Sequence, residues 1–157
     1  MSSDVDYDLI NLEVSQEKIS SGLLGFTSFV VGIGKFLNNQ SVFYPEYKHF
    51  MGNNATVFPP NLRKFRYLNF YHYSTNQQYL EAHLEHNFAG FFINKIPLLR
   101  KLKLEEFIGV NYLSQPQKRN YTEYYFGVQR LGFGLSYGYA FDENKRMAQG
   151  FRISYGL

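Results

Sequence analysis

The stretch Phe133 to Phe141 limits the fold more than any other part of this sequence. Phe133, Leu135, Tyr137, Tyr139 and Phe141 alternate strictly with Gly134, Ser136, Gly138 and Ala140. Alternation at period two places the two sets on opposite faces of a β-strand. A large apolar face backed by tiny residues fits a strand whose outer side meets hydrocarbon and whose inner side is crowded. The last strand repeats the pattern, with Phe151, Ile153, Tyr155 and Leu157 opposing Arg152, Ser154 and Gly156. Outer-membrane β-barrels end on such strands, apolar side to lipid and polar side to the lumen. A half-buried edge strand gives the same alternation, so the rest of the chain must separate the two.

Upstream, Tyr7 to Glu17 alternates, with Ile10, Leu12 and Val14 opposing Asn11, Glu13 and Ser15. After a turn at Ser20-Ser21-Gly22, Leu23 to Phe36 forms a glycine-rich second strand. Residues 38–63 form a long irregular connection containing Pro45, Gly52-Asn53-Asn54 and Pro59-Pro60. Phe65 to Tyr73 has strand composition, and Ser74-Thr75-Asn76-Gln77 follows as a polar turn. Gln78 to Phe88 is clearer: Leu80, Ala82, Leu84 and Phe88 face one way, and Glu81, His83, Glu85 and Asn87 the other. A face of Glu, His, Glu and Asn belongs to open solvent or a polar lumen. Pro97 sits as a first-turn helix residue in Ile93 to Leu102. Strands follow at Lys103 to Leu113 and Tyr121 to Leu131, the latter with Tyr124, Phe126 and Val128 aligned and a tight turn at Leu131-Gly132.

The expected fold is therefore all-β: an antiparallel up-and-down transmembrane β-barrel of about eight strands, in one domain spanning 1–157. Strand units of roughly ten residues have the length a tilted membrane strand needs. With the C-terminus periplasmic, 142–146, 114–120 and 74–77 fall outside, while 131–132, 89–102 and 38–63 fall in the periplasm. Phe133, Leu135, Tyr137, Tyr139, Phe141, Phe151, Ile153, Tyr155 and Leu157 then face lipid. Glu81, His83, Glu85 and Asn87 form a polar lumen cluster, and Lys95, Arg100, Lys101 and Lys103 lie at inner-leaflet headgroups. A solvated helix turn explains those four basic residues equally well.

Composition permits this and excludes much else. Aromatics make up 19% of the chain, with Tyr 14, Phe 16 and no Trp, an excess that favours sheet. The mean hydropathy of −0.33 resembles a soluble protein, but polar lumen residues dilute the average of a barrel. The weakly polar run Gly22 to Gly34 is too short for a spanning helix, which needs roughly 20 residues. Met1 to Val14 lacks the basic start and apolar core of a secretory signal. The sequence has no cysteine, so disulfides and thiolate zinc sites are excluded.

Candidate chemistry is thin. Glu81, His83 and Glu85 share a strand face and could converge on a metal or an acid–base set, but polar lumen residues give the same pattern far more often. His83 and His86 mimic a metal pair, yet three residues apart on a strand they point to opposite faces. The glycine pairs lack the following Lys-Ser/Thr of a phosphate loop, and no nucleophile elbow is present. Arg63, Lys64 and Arg66 form the one dense basic patch near aromatics. The formal charge of +3 is too mild, and the aromatics too mixed with aliphatics, to indicate nucleic acid. No cofactor, metal site or catalytic residue is expected.

The run Tyr79 to Leu113 (YLEAHLEHNFAGFFINKIPLLRKLKLEEFIGVNYL) resembles a signature of outer-membrane β-barrel proteins of Bacteroidota. Those proteins have a carboxypeptidase-regulatory-like N-terminal domain and a C-terminal barrel of unknown function. His86 to Gly90 and Lys95 to Leu102 carry most of the likeness, which spans roughly residues 30 to 157. Tyr121 to Tyr125 and the closing Gly150 to Ile153 fit the same pattern. The resemblance implies an outer-membrane location and a segment that is the C-terminal part of a larger barrel. Expected partners are outer-membrane lipid, the barrel assembly machinery, upstream barrel strands and other outer-membrane proteins. Leu157 departs from the terminal Phe that the machinery usually meets, and the signal sequence and N-terminal domain are absent. No activity follows from the family. The function expected is structural, transport or receptor. Two other readings stay open: a soluble β-barrel module with Phe133, Leu135, Tyr137 and Tyr139 lining an apolar ligand cavity, and an outer-membrane hydrolase using the cluster around His83.

Overall fold

The computed structural model describes residues 6–156, and for residues 39 and 40 the backbone only. Eight strands lie in one sheet: β1 (Asp6–Ser20), β2 (Phe26–Ser41), β3 (Val57–Phe58), β4 (Gln78–Asn87), β5 (Glu105–Gln115), β6 (Lys118–Arg130), β7 (Phe133–Asp142) and β8 (Lys145–Tyr155). Their order is β1-β2-β4-β5-β6-β7-β8-β3. Seven long strands thus form an antiparallel meander. The two-residue β3 runs parallel to β8 at its outer edge. β1 and β8 do not pair, so the sheet is open. The all-β, mainly antiparallel expectation holds, while the closed barrel is not what the described residues form. Among them α1 (Pro97–Arg100) is the one α-helical turn, opened by the expected proline. No helix among them is long and apolar enough to cross a membrane.

Short connections set the register. Leu131 and Gly132 both adopt positive φ, 47° and 82°, the paired left-handed geometry of a two-residue hairpin. The register then aligns the faces across all seven strands. On the convex side, Leu84, Val110, Tyr124 and Tyr139 fall in one transverse row, and Ile108, Phe126, Tyr137 and Phe151 in the next. Leu12, Ile33 and Leu80 continue the apolar surface across β1, β2 and β4. On the concave side, Val30, His83, Asn111, Glu123 and Ala140 form one row, and every member of it is buried.

The long connection departs from expectation. It runs from residue 42 to residue 77, and Phe65 to Tyr73 is not a strand within it. Its apolar side chains turn into the concavity: Phe50, Phe65, Tyr67, Leu68 and Tyr73 pack with Tyr79, Leu113, Tyr121 and Ala140 as the molecule's core. Burying an apolar side chain such as Phe65 or Leu68 is worth about 1.5–3 kcal/mol.

β2 and β4 are direct antiparallel neighbours, so the connection leaves and returns at the rim shared with the 116–117 and 143–144 turns. The expected placement of 38–63 opposite 74–77 is thereby corrected. With β3 belonging to this internal segment, seven strands remain in the meander. The two ends of the described chain lie at opposite rims, not at the same one.

Candidate functional site

The concave face is where polar chemistry gathers, because β4, β5 and β6 turn every second residue inward. Glu81, His83, Glu85 and Asn87 all face this side, as the alternation requires, but they do not converge. Lys48 of the connection pairs with Glu81 at 3.0 Å, and Arg66 pairs with Glu85 at 3.0 Å. Asn87 donates to Glu105 at 3.0 Å and accepts from the Ala89 amide at 2.7 Å. No group of three potential metal ligands assembles among the described residues. His86 points outward, with Thr27 at 2.8 Å and the Leu24 carbonyl at 2.9 Å, so the two histidines are separated by the sheet.

Glu123 organises the centre. It is fully buried, and its carboxylate accepts four hydrogen bonds: from the Arg66 amide at 2.8 Å, the Tyr67 amide at 2.7 Å, Asn111 Nδ2 at 2.9 Å and the Tyr121 hydroxyl at 2.7 Å. Asn111 gives its amide hydrogen to Glu123, so its Oδ1 must accept from His83 Nδ1 at 3.0 Å. His83 Nε2 is buried with no hydrogen-bonding partner among the described residues. A chain of three side chains on three adjacent strands therefore ends on two backbone amides of the connection.

Arg66 is the other half of this junction. Its guanidinium lies over the Tyr125 ring at 3.9 Å, donates to Ser136 Oγ at 3.0 Å and reaches Glu85. Its carbonyl accepts from Arg152 Nε at 2.9 Å, and the Tyr67 hydroxyl donates to the Gly150 carbonyl at 2.8 Å. Of the small residues of β7, Ser136 meets the segment through Arg66, and Ala140 packs with Phe65 and Tyr67 in the core. Beneath the connection lies a cavity of about 730 Å³, lined by Phe26, Arg66, Glu85, Glu105 and Gln129 among others.

Arg63, Lys64 and Arg66, grouped by the sequence, part company in the structure. Arg63 holds Glu13 of β1 at 2.7 Å, Lys64 stands 5.7 Å from the Phe58 ring centroid, and Arg66 turns inward. The sequence did not single out Glu123, Asn111 or Lys48. Glu123 carries a weak signal as an acidic residue within an aromatic strand, but its amide donors lie 56 and 57 residues away.

On the convex face, Phe133, Leu135, Phe151, Ile153 and Tyr155 are exposed, and Tyr137, Tyr139 and Phe141 are half-buried against neighbouring rings. Phe151 is 61% exposed and Glu123 0%, so an apolar ring stands outward and a carboxylate inward. Leu157 lies outside the described residues. Lys95, Arg100, Lys101 and Lys103 are all exposed on the 88–104 connection, at the rim where β8 ends.

An all-β sheet with a polar, filled concavity and an apolar outer surface defines the class. The chain belongs to a family of unknown function (DUF5686), as its C-terminal domain, with residues 1–128 matched. No curated protein and no solved structure matches it.

Proposed function

We propose that this chain is wall and internal plug of a bacterial outer-membrane β-barrel protein with a structural, transport or receptor role and no catalysis of its own. The inversion of the two faces carries this reading. Transmembrane strands turn apolar residues to lipid and polar ones to the interior, and a closed ladder of such strands satisfies every backbone group in hydrocarbon. The exposed Lys95, Arg100, Lys101 and Lys103 stand at one rim beside exposed Ile96, Leu98 and Leu102, a composition suited to the headgroup layer. Outer-membrane lipid and, during biogenesis, the barrel assembly machinery are the partners of such a protein.

A soluble module with an apolar cavity would need Phe133, Leu135, Tyr137 and Tyr139 inside, whereas they stand on the convex face. A hydrolase built on His83 would need a nucleophile beside it, and the only side-chain hydrogen bond of His83 among the described residues goes to Asn111.

The test uses the cysteine-free background. Nitroxide labels placed singly at Leu84, Phe126, Tyr137 and Phe151 in vesicles should be reached by lipid-soluble oxygen and shielded from a water-soluble relaxation agent. Ready access of the aqueous agent to all four, in a protein that stays monomeric without lipid or detergent, would sink the proposal.

A further inference from the structure

The open sheet has two free long edges, and its topology dictates what can close it. β1 runs from the rim of the 116–117 and 143–144 turns to the opposite rim, because Asp6 pairs with Ser41 and Ser20 with Phe26. β8 runs the same way, from Lys145 beside Asp142 to Tyr155 beside Phe133. The two edges are therefore parallel to each other, as the first and last strands of any odd meander must be. Bringing β1 directly onto β8 would make a parallel seam in a seven-stranded barrel, below the smallest size of about eight strands known for single-chain outer-membrane barrels.

A second copy does not solve this. Two copies in one membrane share an orientation, so the β1 of one would meet the β8 of the other in the same parallel sense, twice over. An antiparallel seam on both edges needs an odd number of strands of other sequence.

The interior sets a lower bound on that number. A barrel of about eight strands encloses a space that side chains alone fill. Here the concavity holds a length of backbone. Residues 65–68 are buried in it, with the Arg66 and Tyr67 amides bonded to Glu123 and the Arg66 carbonyl bonded to Arg152. One added strand, making eight, leaves no room for that backbone.

We infer that the β1 and β8 edges are the two sides of a gap filled by three or a larger odd number of antiparallel transmembrane strands, and, since the family model matched here is that of a C-terminal domain, that the same polypeptide carries them ahead of β1. This rests on the barrel reading above and specifies what completes it. The total is then even and at least ten, and the first strand starts at the rim where β8 ends. The apolar side chains Ile10, Leu12 and Val14 of β1, exposed at 61%, 60% and 54%, continue the convex belt up to the gap. β3 occupies the far edge of β8 only at Ile153 and Ser154, with the Ile153 amide donating to the Thr56 carbonyl at 2.8 Å. The closing strand takes those positions and displaces β3.

Two preparations test this in detergent: residues 1–157, and the same chain preceded by its upstream strands. Each carries Val57→Cys and Ile153→Cys in the cysteine-free background. Unboiled and boiled samples are compared by gel mobility. The expected result is no heat-dependent shift for 1–157, with the disulfide formed, against a clear shift for the longer polypeptide, with the disulfide lost. A heat-shifted monomer of 1–157 would overturn the inference, and so would a heat-shifted dimer. A longer polypeptide that binds detergent yet never shifts, or shifts with the disulfide intact, would overturn it as well. If both preparations are monomeric without detergent, the barrel reading itself fails, which is a distinguishable result.

Discussion

Glu123 shows how a single residue can hold an interior together without a cation. Its four donors are two amides, a carboxamide and a phenol. Glu123→Gln keeps the shape but turns an amino group toward two of them. Each donor left without an acceptor costs about 1–3 kcal/mol, so the variant should lose stability measurably in urea titrations from detergent. Glu105→Gln, at a half-buried site, should lose much less. Phe65→Ala, at a side chain with no exposure, should cost about 3–5 kcal/mol.

The tyrosines of the connection offer a pH readout. Burial pushes the Tyr67 hydroxyl up to about 12, and burial together with the neighbouring Asp142 does the same for Tyr73. An unfolded tyrosine ionises near 10. Both folded values are raised, so their contribution to stability is fully present below pH 10 and is lost as pH climbs through about 12. Ultraviolet titration of tyrosinate should show a late step in the native protein that Tyr67→Phe and Tyr73→Phe each reduce. A single step near 10 would contradict their burial.

At the scale of the element, the strands were legible because period two survives in sequence wherever two faces meet different surroundings. β4 and β7 follow their predicted faces residue by residue. The connection was not legible for a physical reason. Phe65, Tyr67, Leu68 and Tyr73 are as apolar as a strand, but they are buried by a surface formed from other parts of the chain, and local periodicity carries no trace of that. β3, with two residues, is below the length at which alternation can register. Lys48 and Arg66 were likewise illegible as partners of Glu81 and Glu85, since both cations sit on the connection, whose path local periodicity does not carry. The convex belt makes its own prediction. Tyr137 packs against the Phe126 and Phe151 rings at 6.2 and 4.8 Å; in the proposed membrane placement it lies near the bilayer midplane, where Tyr137→Lys should cost about 2–4 kcal/mol. The same change at Tyr155, next to a rim, should cost about 0–1 kcal/mol. Equal costs at both positions in vesicle unfolding would contradict a depth-dependent environment.

For the whole molecule, the filled concavity argues against a permanently open pore. If the proposed barrel forms, its ion conductance in planar bilayers should be low, and replacing both Arg66 and Glu123 by Ala should raise it or make it fluctuate. Unchanged conductance in a correctly inserted double variant would mean the connection is held by something other than this junction.

Both ends of the interior segment are fastened at one rim, through β2 and β4. A plug formed by a chain terminus can be drawn out by pulling on its free end. This one has no free end. It could leave the interior only by folding outward as a closed bight between β2 and β4. The segment is therefore attached as a drawstring is, not as a cork: any opening would leave it tied to the same two strands.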